Sequence, residues 1–331
     1  MGVIGTLTAG FETVNRRLWL LLFPIGLDLL LWCGPQISIA PIVRRVAAVW
    51  ITSPATGSYD QQQIVALRQG FEGLARSSNL LALLSLTAPS RDVAVRLFTF
   101  VFANILGVPA LVTNRDETTA AAPIQVPTIE LSEPWALVVT ATVLLLLGVL
   151  LSALFLSLIA QIVRDDEVRV PALLRCVGPN AVHIATYLVL GCVLVTLVSI
   201  PILAFATPLL LNDPALGTFL VITPWLWLGF YLFFAPGAML VNEVHPARAV
   251  WYSFNIMRLD PWRAMGLIVS MIVIQGGLPM LWQQIMAWPW GVPIGIVGNA
   301  YVSTGLTVTC MIFYQDRYRQ WREMVMAAGP R

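Results

Sequence analysis

Six apolar blocks punctuate the chain, at Leu18–Ile39, Trp135–Val163, Ala181–Leu210, Thr218–Val241, Ala264–Ala287 and Trp290–Tyr314. Each reaches the roughly 20 residues that a helix needs to span hydrocarbon. They predict an all-α fold, a polytopic membrane helix bundle of six transmembrane helices. The blocks divide the chain into four parts. Residues 1–39 hold an amphipathic N-terminal helix and the first span, 40–134 form a cap and linker, 135–314 make a five-helix membrane bundle, and 315–331 form an amphipathic tail.

The cap has a pattern of its own. Pro41–Trp50 and Asp60–Ser85 read as helices, separated by the breaker Ser53-Pro54-Ala55-Thr56-Gly57-Ser58. From Thr113 to Pro134 the composition turns to Thr, Ala, Pro and acidic residues, which predicts an extended return to the second span. Two further apolar stretches, Asn79–Ala88 and Leu97–Val112, lie between these parts. The first is too short to span. The second, preceded by Arg96, would invert every later helix if it crossed, so both are read as interfacial or re-entrant helices.

Arginine fixes the expected orientation. Arg16, Arg17, Arg164, Arg169, Arg175, Arg248, Arg258, Arg263, Arg317, Arg319, Arg322 and Arg331 fall on one side of a six-span chain, and the two short connections opposite hold none. The positive-inside rule then puts both termini in the cytoplasm. The other seven, Arg44, Arg45, Arg68, Arg76, Arg91, Arg96 and Arg115, sit in the long cap segment, which that rule largely exempts. Tryptophans agree. Trp32, Trp135, Trp225, Trp227, Trp282, Trp288 and Trp290 fall toward the outer boundary and Trp19, Trp251, Trp262 and Trp321 toward the inner one. The first span resembles a signal peptide in outline, but Pro41 follows the would-be cleavage site at Ser38-Ile39-Ala40, so it is read as a retained anchor.

Composition sharpens the class. The chain is 58% hydrophobic and 11% charged, against roughly 25% charged in a soluble domain. The net charge of +2 gives no reason to expect a nucleic-acid partner. Every basic residue is Arg, so the cationic groups stay protonated throughout the accessible pH range. Cys33, Cys176, Cys192 and Cys310 lie at different predicted depths with no CxxC spacing, which argues against a disulfide framework.

Candidate chemistry is sparse. Asp28 lies near the middle of the first span, in Phe23-Pro24-Ile25-Gly26-Leu27-Asp28, where an ionised carboxylate costs several kcal/mol unless it faces protein or water. It reads either as a proton or cation site or as a protonated, hydrogen-bonded acid that locks helix packing; the second is favoured, with the carbonyl freed by Pro24 or Gln275 as partner. Gln275, followed by Gly276, Gly277 and Pro279, could bend or unwind its span as transporter helices do, although packing and a simple kink explain the same residues. Asn299 between Gly298 and Ala300 suits interhelical hydrogen bonding. Together Asp28, Gln275 and Asn299 form the candidate intramembrane polar site. His183 and His245 show no ligand spacing, so no metal and no cofactor is expected, and no nucleophile motif such as GxSxG occurs.

The tail carries Tyr314, Tyr318, Trp321 and Val325 on one helix face, flanked by Arg317, Arg319 and Arg322. Arg317, Arg319, Trp321 and Arg322 are the expected inner-leaflet lipid contacts, the alternative being that the stripe packs on the protein's own inner loops. A faint repeat pairs Phe11 and Trp19 with Phe254 and Trp262, each pair leading into a span with a later proline.

The run Arg16-Arg17-Leu18-Trp19 within Phe11–Ser38 resembles multi-pass proteins of filamentous green non-sulfur bacteria. Val250–Trp282, with Trp251-Tyr252-Ser253 and Asp260-Pro261-Trp262-Arg263, is similar to the membrane domain attached to some glycerophosphodiester phosphodiesterases. The resemblance covers about a fifth of the chain and implies a six-helix module of a bacterial cytoplasmic (plasma) membrane without known chemistry. The catalytic barrel of those phosphodiesterases has no counterpart here, so no activity carries over.

Two functions are compatible with these residues. One is a non-catalytic membrane module that engages membrane lipids, a protein partner or a second copy of itself. The other is a small secondary transporter built around Asp28, Gln275 and Asn299. The scarcity of polar residues in the spans favours the module.

Overall fold

The structure is a computed structural model, which describes residues 2–52, 61–86, 106–112, 127–286, 288 and 290–327. Helix α1 (Val3–Asn15) leads through a 3-10 turn (Leu18–Leu21) into α2 (Leu22–Cys33). Then come β1 (Gln36–Ser38), α3 (Ala40–Ile51), α4 (Gln61–Ser77), a second 3-10 turn (Leu80–Ser85) and β2 (Thr128–Glu130). The bundle follows as α5 (Pro134–Asp165), α6 (Val170–Asn212), α7 (Pro214–Leu232), α8 (Ala235–Val241), α9 (Pro246–Leu259), α10 (Pro261–Met286) and α11 (Gly291–Ala327). The only sheet among the described residues is the parallel pairing of β1 with β2, Ile37 opposite Ile129.

Five helical stretches are long and apolar enough to cross a membrane, and each overlaps one of the five C-terminal blocks read from the sequence, the third running across the join of α7 and α8. The first block differs. It yields the shorter apolar stretch Leu18–Cys33. Its regular part, α2, has 12 residues, about 18 Å of helix against a hydrocarbon core of roughly 30 Å. The helix before it, α1, packs along α11. Thr6, Gly10 and Val14, at i, i+4 and i+8, are buried on α11. A Cβ on Gly10 would lie 2.0 Å from Thr309 Oγ1, and one on Gly305 would lie 2.5 Å from the Phe11 ring. The two glycines let the helices meet almost backbone to backbone.

The deepest core lies at the end of the bundle where α5 meets α6, the basic end. All of α8 is buried there, together with Phe233, Phe234 and much of Leu306–Tyr314 of α11. The block expected as one helix over Thr218–Val241 is broken between α7 and α8. Ser253 of α9 stitches the break: its hydroxyl donates to the Tyr231 carbonyl at 2.6 Å and accepts the Phe234 N–H at 3.2 Å. By contrast, the apolar stretch of α6 contributes no buried window to the protein, and Val189, Leu197, Ile200 and Phe205 are all exposed. Exposed indoles mark both ends, Trp135 and Trp290 at the far, cap end and Trp251 and Trp262 at the basic end.

Two segments of the cap enter the bundle. Helix α4 stops at Ser77 because Asn79 caps the following 3-10 turn, its Oδ1 accepting the Leu81 N–H at 3.2 Å and the Ile37 N–H at 3.4 Å. That turn ends at Leu86, in the left-handed region at φ 55°. It presses on α5 so closely that a Cβ on Gly148 would lie 2.5 Å from the Leu83 carbonyl. Residues 106–112 pack beside it, with Leu106, Val108 and Val112 buried. They are not helical, which differs from the helix expected over Leu97–Val112; Pro109 biases Val108 away from helix. The first part of that stretch, 97–105, and the breaker 53–58 lie outside the described residues.

Candidate functional site

Asp28 is completely buried on α2. Its Oδ1 accepts two backbone N–H groups, from Leu111 at 2.7 Å and Val112 at 2.9 Å. The partner expected from the sequence was a freed helix carbonyl or Gln275; the observed partners are the amides of the inserted segment. The physical reason is accounting. A non-helical backbone at membrane depth is tolerated only where protein satisfies its polar groups, and the Asp28 carboxyl does so for two consecutive amides. Its Oδ2 is buried without a hydrogen bond among the described residues. Trp32, Val112, Met286, Val292 and Ile296 close an apolar shell around this clasp.

Gln275 and Asn299 do not join it. Gln275 is half-buried on α10, which runs as unbroken helix through Gly276 and Gly277 to Met286. Both glycines have open space where a Cβ would go, so neither serves a close approach. Asn299 is half-buried on α11, its Oδ1 accepting from Ser303 Oγ at 3.4 Å. A Cβ on the adjacent Gly298 would lie 2.4 Å from the Trp282 ring, so this stretch of α11 is shaped to receive α10. The three polar residues of the sequence reading are therefore not one hydrogen-bonded set.

At the basic end the tail stripe turns toward the protein. Tyr318 and Trp321 pack on Tyr252 of α9 with ring centroids 5.2 and 5.7 Å away. Arg317, expected at lipid, is buried: it pairs with Asp260 at 3.2 Å and lies over the Phe313 ring. Arg319 and Arg322 are exposed and Trp321 is half-buried. Arg17 pairs with Asp166 at 2.6 Å, and this hydrogen bond holds the Asp166 carboxyl below the usual carboxylate range. His183 and His245 face each other with centroids 5.9 Å apart. Among the described residues no three His, Cys, Asp or Glu side chains are grouped to hold a metal.

A small cleft opens beside them, between α5, the start of α6 and the turn after α8, lined by Ser157, Gln161, Arg164, Cys176, Asn180 and Glu243 and by apolar side chains such as Leu173 and Leu240. Asn180 donates to Ser157 Oγ at 2.8 Å. Arg164 donates to Glu243 Oε1 at 2.5 Å, and the Cys176 thiol donates to the same oxygen at 3.7 Å. Glu243 holds its place in the left-handed region, at φ 52°. The sequence reading missed this cleft. The signal was Ser157 and Gln161 at i, i+4 in one apolar helix, with Cys176, Asn180 and His183 at i, i+4, i+7 in the next.

No family model, no curated protein and no solved structure matches this chain.

Proposed function

We propose that this chain is a non-catalytic module of a bacterial cytoplasmic membrane that engages lipid or a protein partner. In this reading the first apolar block, from Leu18, makes a sixth crossing, both termini lie in the cytoplasm, and the β1–β2 ribbon and α3–α4 cap the outer face. The observation that carries it is the state of Asp28. It is the one acidic residue inside the apolar blocks, and its bonds go to the backbone of the inserted segment. A carboxyl committed to scaffold is poorly placed to cycle protons or cations. The exposed apolar length of α6, with the exposed Arg319 and Arg322 at the basic end, supports a role at lipid or partner surfaces.

Proteoliposomes test the reading against transport. Proton and sodium flux driven by an imposed potential should equal that of protein-free vesicles, for the wild type and for Asp28→Asn alike. Flux in the wild type that the substitution abolishes would replace the module with a transporter.

A further inference from the structure

We infer that α7 and α9 form a binding site for one anionic phospholipid of the bilayer, with Arg258 at its phosphate and a seam of aromatic rings along its acyl chain. The seam runs from Trp227 to Tyr231 on α7, ring centroids 6.4 Å apart, and crosses to Phe254 on α9 at 5.0 Å. It ends on Trp251, 6.4 Å beyond Phe254. The two middle rings are half-buried and join the helices. The end rings are left open by the protein: Trp227 is 56% exposed and Trp251 59%.

Arg258 lies over Phe254, 5.7 Å from the ring centroid, so a cation–π contact holds its guanidinium at the end of the seam. It is exposed, and among the described residues it makes no ion pair and no hydrogen bond. The carboxylate two positions on, Asp260, is already shared by Arg263 at 3.4 Å and Arg317 at 3.2 Å. A planar guanidinium without a carboxylate is matched by a phosphate, which accepts two of its N–H groups at once.

Connectivity sets the depth of the two ends. Trp227 lies inside the apolar stretch Ala215–Val241, whereas Arg258 stands three residues before α10 begins at Pro261, beside the 81% exposed Trp262. A soluble acidic partner would reach Arg258 but not Trp227; a lipid reaches both. Choline and ethanolamine headgroups carry a cation that competes with Arg258 for their own phosphate, and an anionic headgroup carries none. The inference rests on the membrane reading of the chain and deepens it by naming the lipid class.

Native mass spectrometry of the full chain, released from nanodiscs holding equal phosphatidylglycerol and phosphatidylcholine with the same acyl chains, tests it. The wild type should retain phosphatidylglycerol about fivefold better, the ratio that one arginine at an anionic headgroup supplies. Arg258→Gln should remove the preference while melting with the wild type in the absence of lipid, since the side chain is exposed. Phe254→Leu keeps an apolar side chain but takes away the ring under the guanidinium, and should weaken the preference. Arg68→Gln deletes the same charge from an exposed position on α4 and should leave it intact.

Equal retention of both lipids by the wild type, or a preference that survives Arg258→Gln, would overturn the proposal. So would a preference that falls equally with Arg68→Gln, which would trace it to net charge. A lipid-free dimer that Arg258→Gln dissociates would give the seam to a second copy of the chain. A rise in melting temperature with soluble glycerol phosphate, without lipid preference, would give Arg258 to a free phosphate; either result replaces the proposal. The flux measurement judges the module reading separately, since a transporter could hold the same lipid.

Discussion

The Oδ1 atom of Asp28 accepts the Leu111 N–H at 2.7 Å, joining residues 83 positions apart across the first apolar block and the cap. With the neighbouring bond to Val112, the carboxyl fixes the end of the inserted segment 106–112 against α2. Loss of both bonds leaves two buried donors unsatisfied, at about 1–3 kcal/mol each.

The glycines separate packing from helix breaking. Gly10→Ala should destabilise by about 1–3 kcal/mol, because its methyl would collide with Thr309 and crowd the Gly305 carbonyl at 3.0 Å. Gly276→Ala and Gly277→Ala should each stabilise by about 0.5–1 kcal/mol, since both lie in regular helix with open space at Cβ. Thermal unfolding in detergent checks the pair of signs. A loss at Gly276 or Gly277 would mean that α10 needs an unwound state.

The Arg17–Asp166 pair predicts a pH response. The folded carboxyl titrates below its unfolded value, so its contribution is complete above the ordinary carboxylate range, near 4, and is lost as pH falls through the lower folded value. Asp166→Asn keeps a residue type that tolerates the left-handed backbone at φ 57°. The wild type should be the more stable at pH 7, and the difference should fade as pH falls below the ordinary carboxylate range. A difference that persists there would place the effect in the backbone turn rather than in the charge.

The five long helices were legible because a run of 20 apolar residues has few other physical uses. What escaped the sequence were features that depend on which faces meet. The Arg317 guanidinium looked like a surface charge until Asp260, which no local pattern pairs with it, proved to be its neighbour. The cleft was hidden for the same reason, since Ser157, Gln161 and Asn180 acquire meaning only when α5 and α6 face each other. Asp28 was visible as an anomaly, but its partners lie in a non-helical segment whose path hydropathy does not encode.

Sidedness is tested by reporter fusions. A cytoplasmic reporter at Arg331 and a periplasmic one at Thr118 should both be active. Activity of a periplasmic reporter at Arg331 would sink the six-crossing arrangement. Cysteine labelling at Ser90 and at Thr113 should occur from the same side of the membrane, and labelling from opposite sides would mean that the segment between them crosses.

The clasp itself is read most directly by amide hydrogen exchange over the peptide containing Leu111 and Val112, in the wild type, Asp28→Asn and Asp28→Leu. The asparagine carbonyl can still accept both N–H groups, so its two amides should stay as protected as in the wild type. The leucine variant, with no acceptor, should exchange them much faster while α5 and α11 remain protected. Equal protection in all three would contradict a structural Asp28, and loss of protection in the asparagine variant as well would show that its charge, not its geometry, holds the inserted segment.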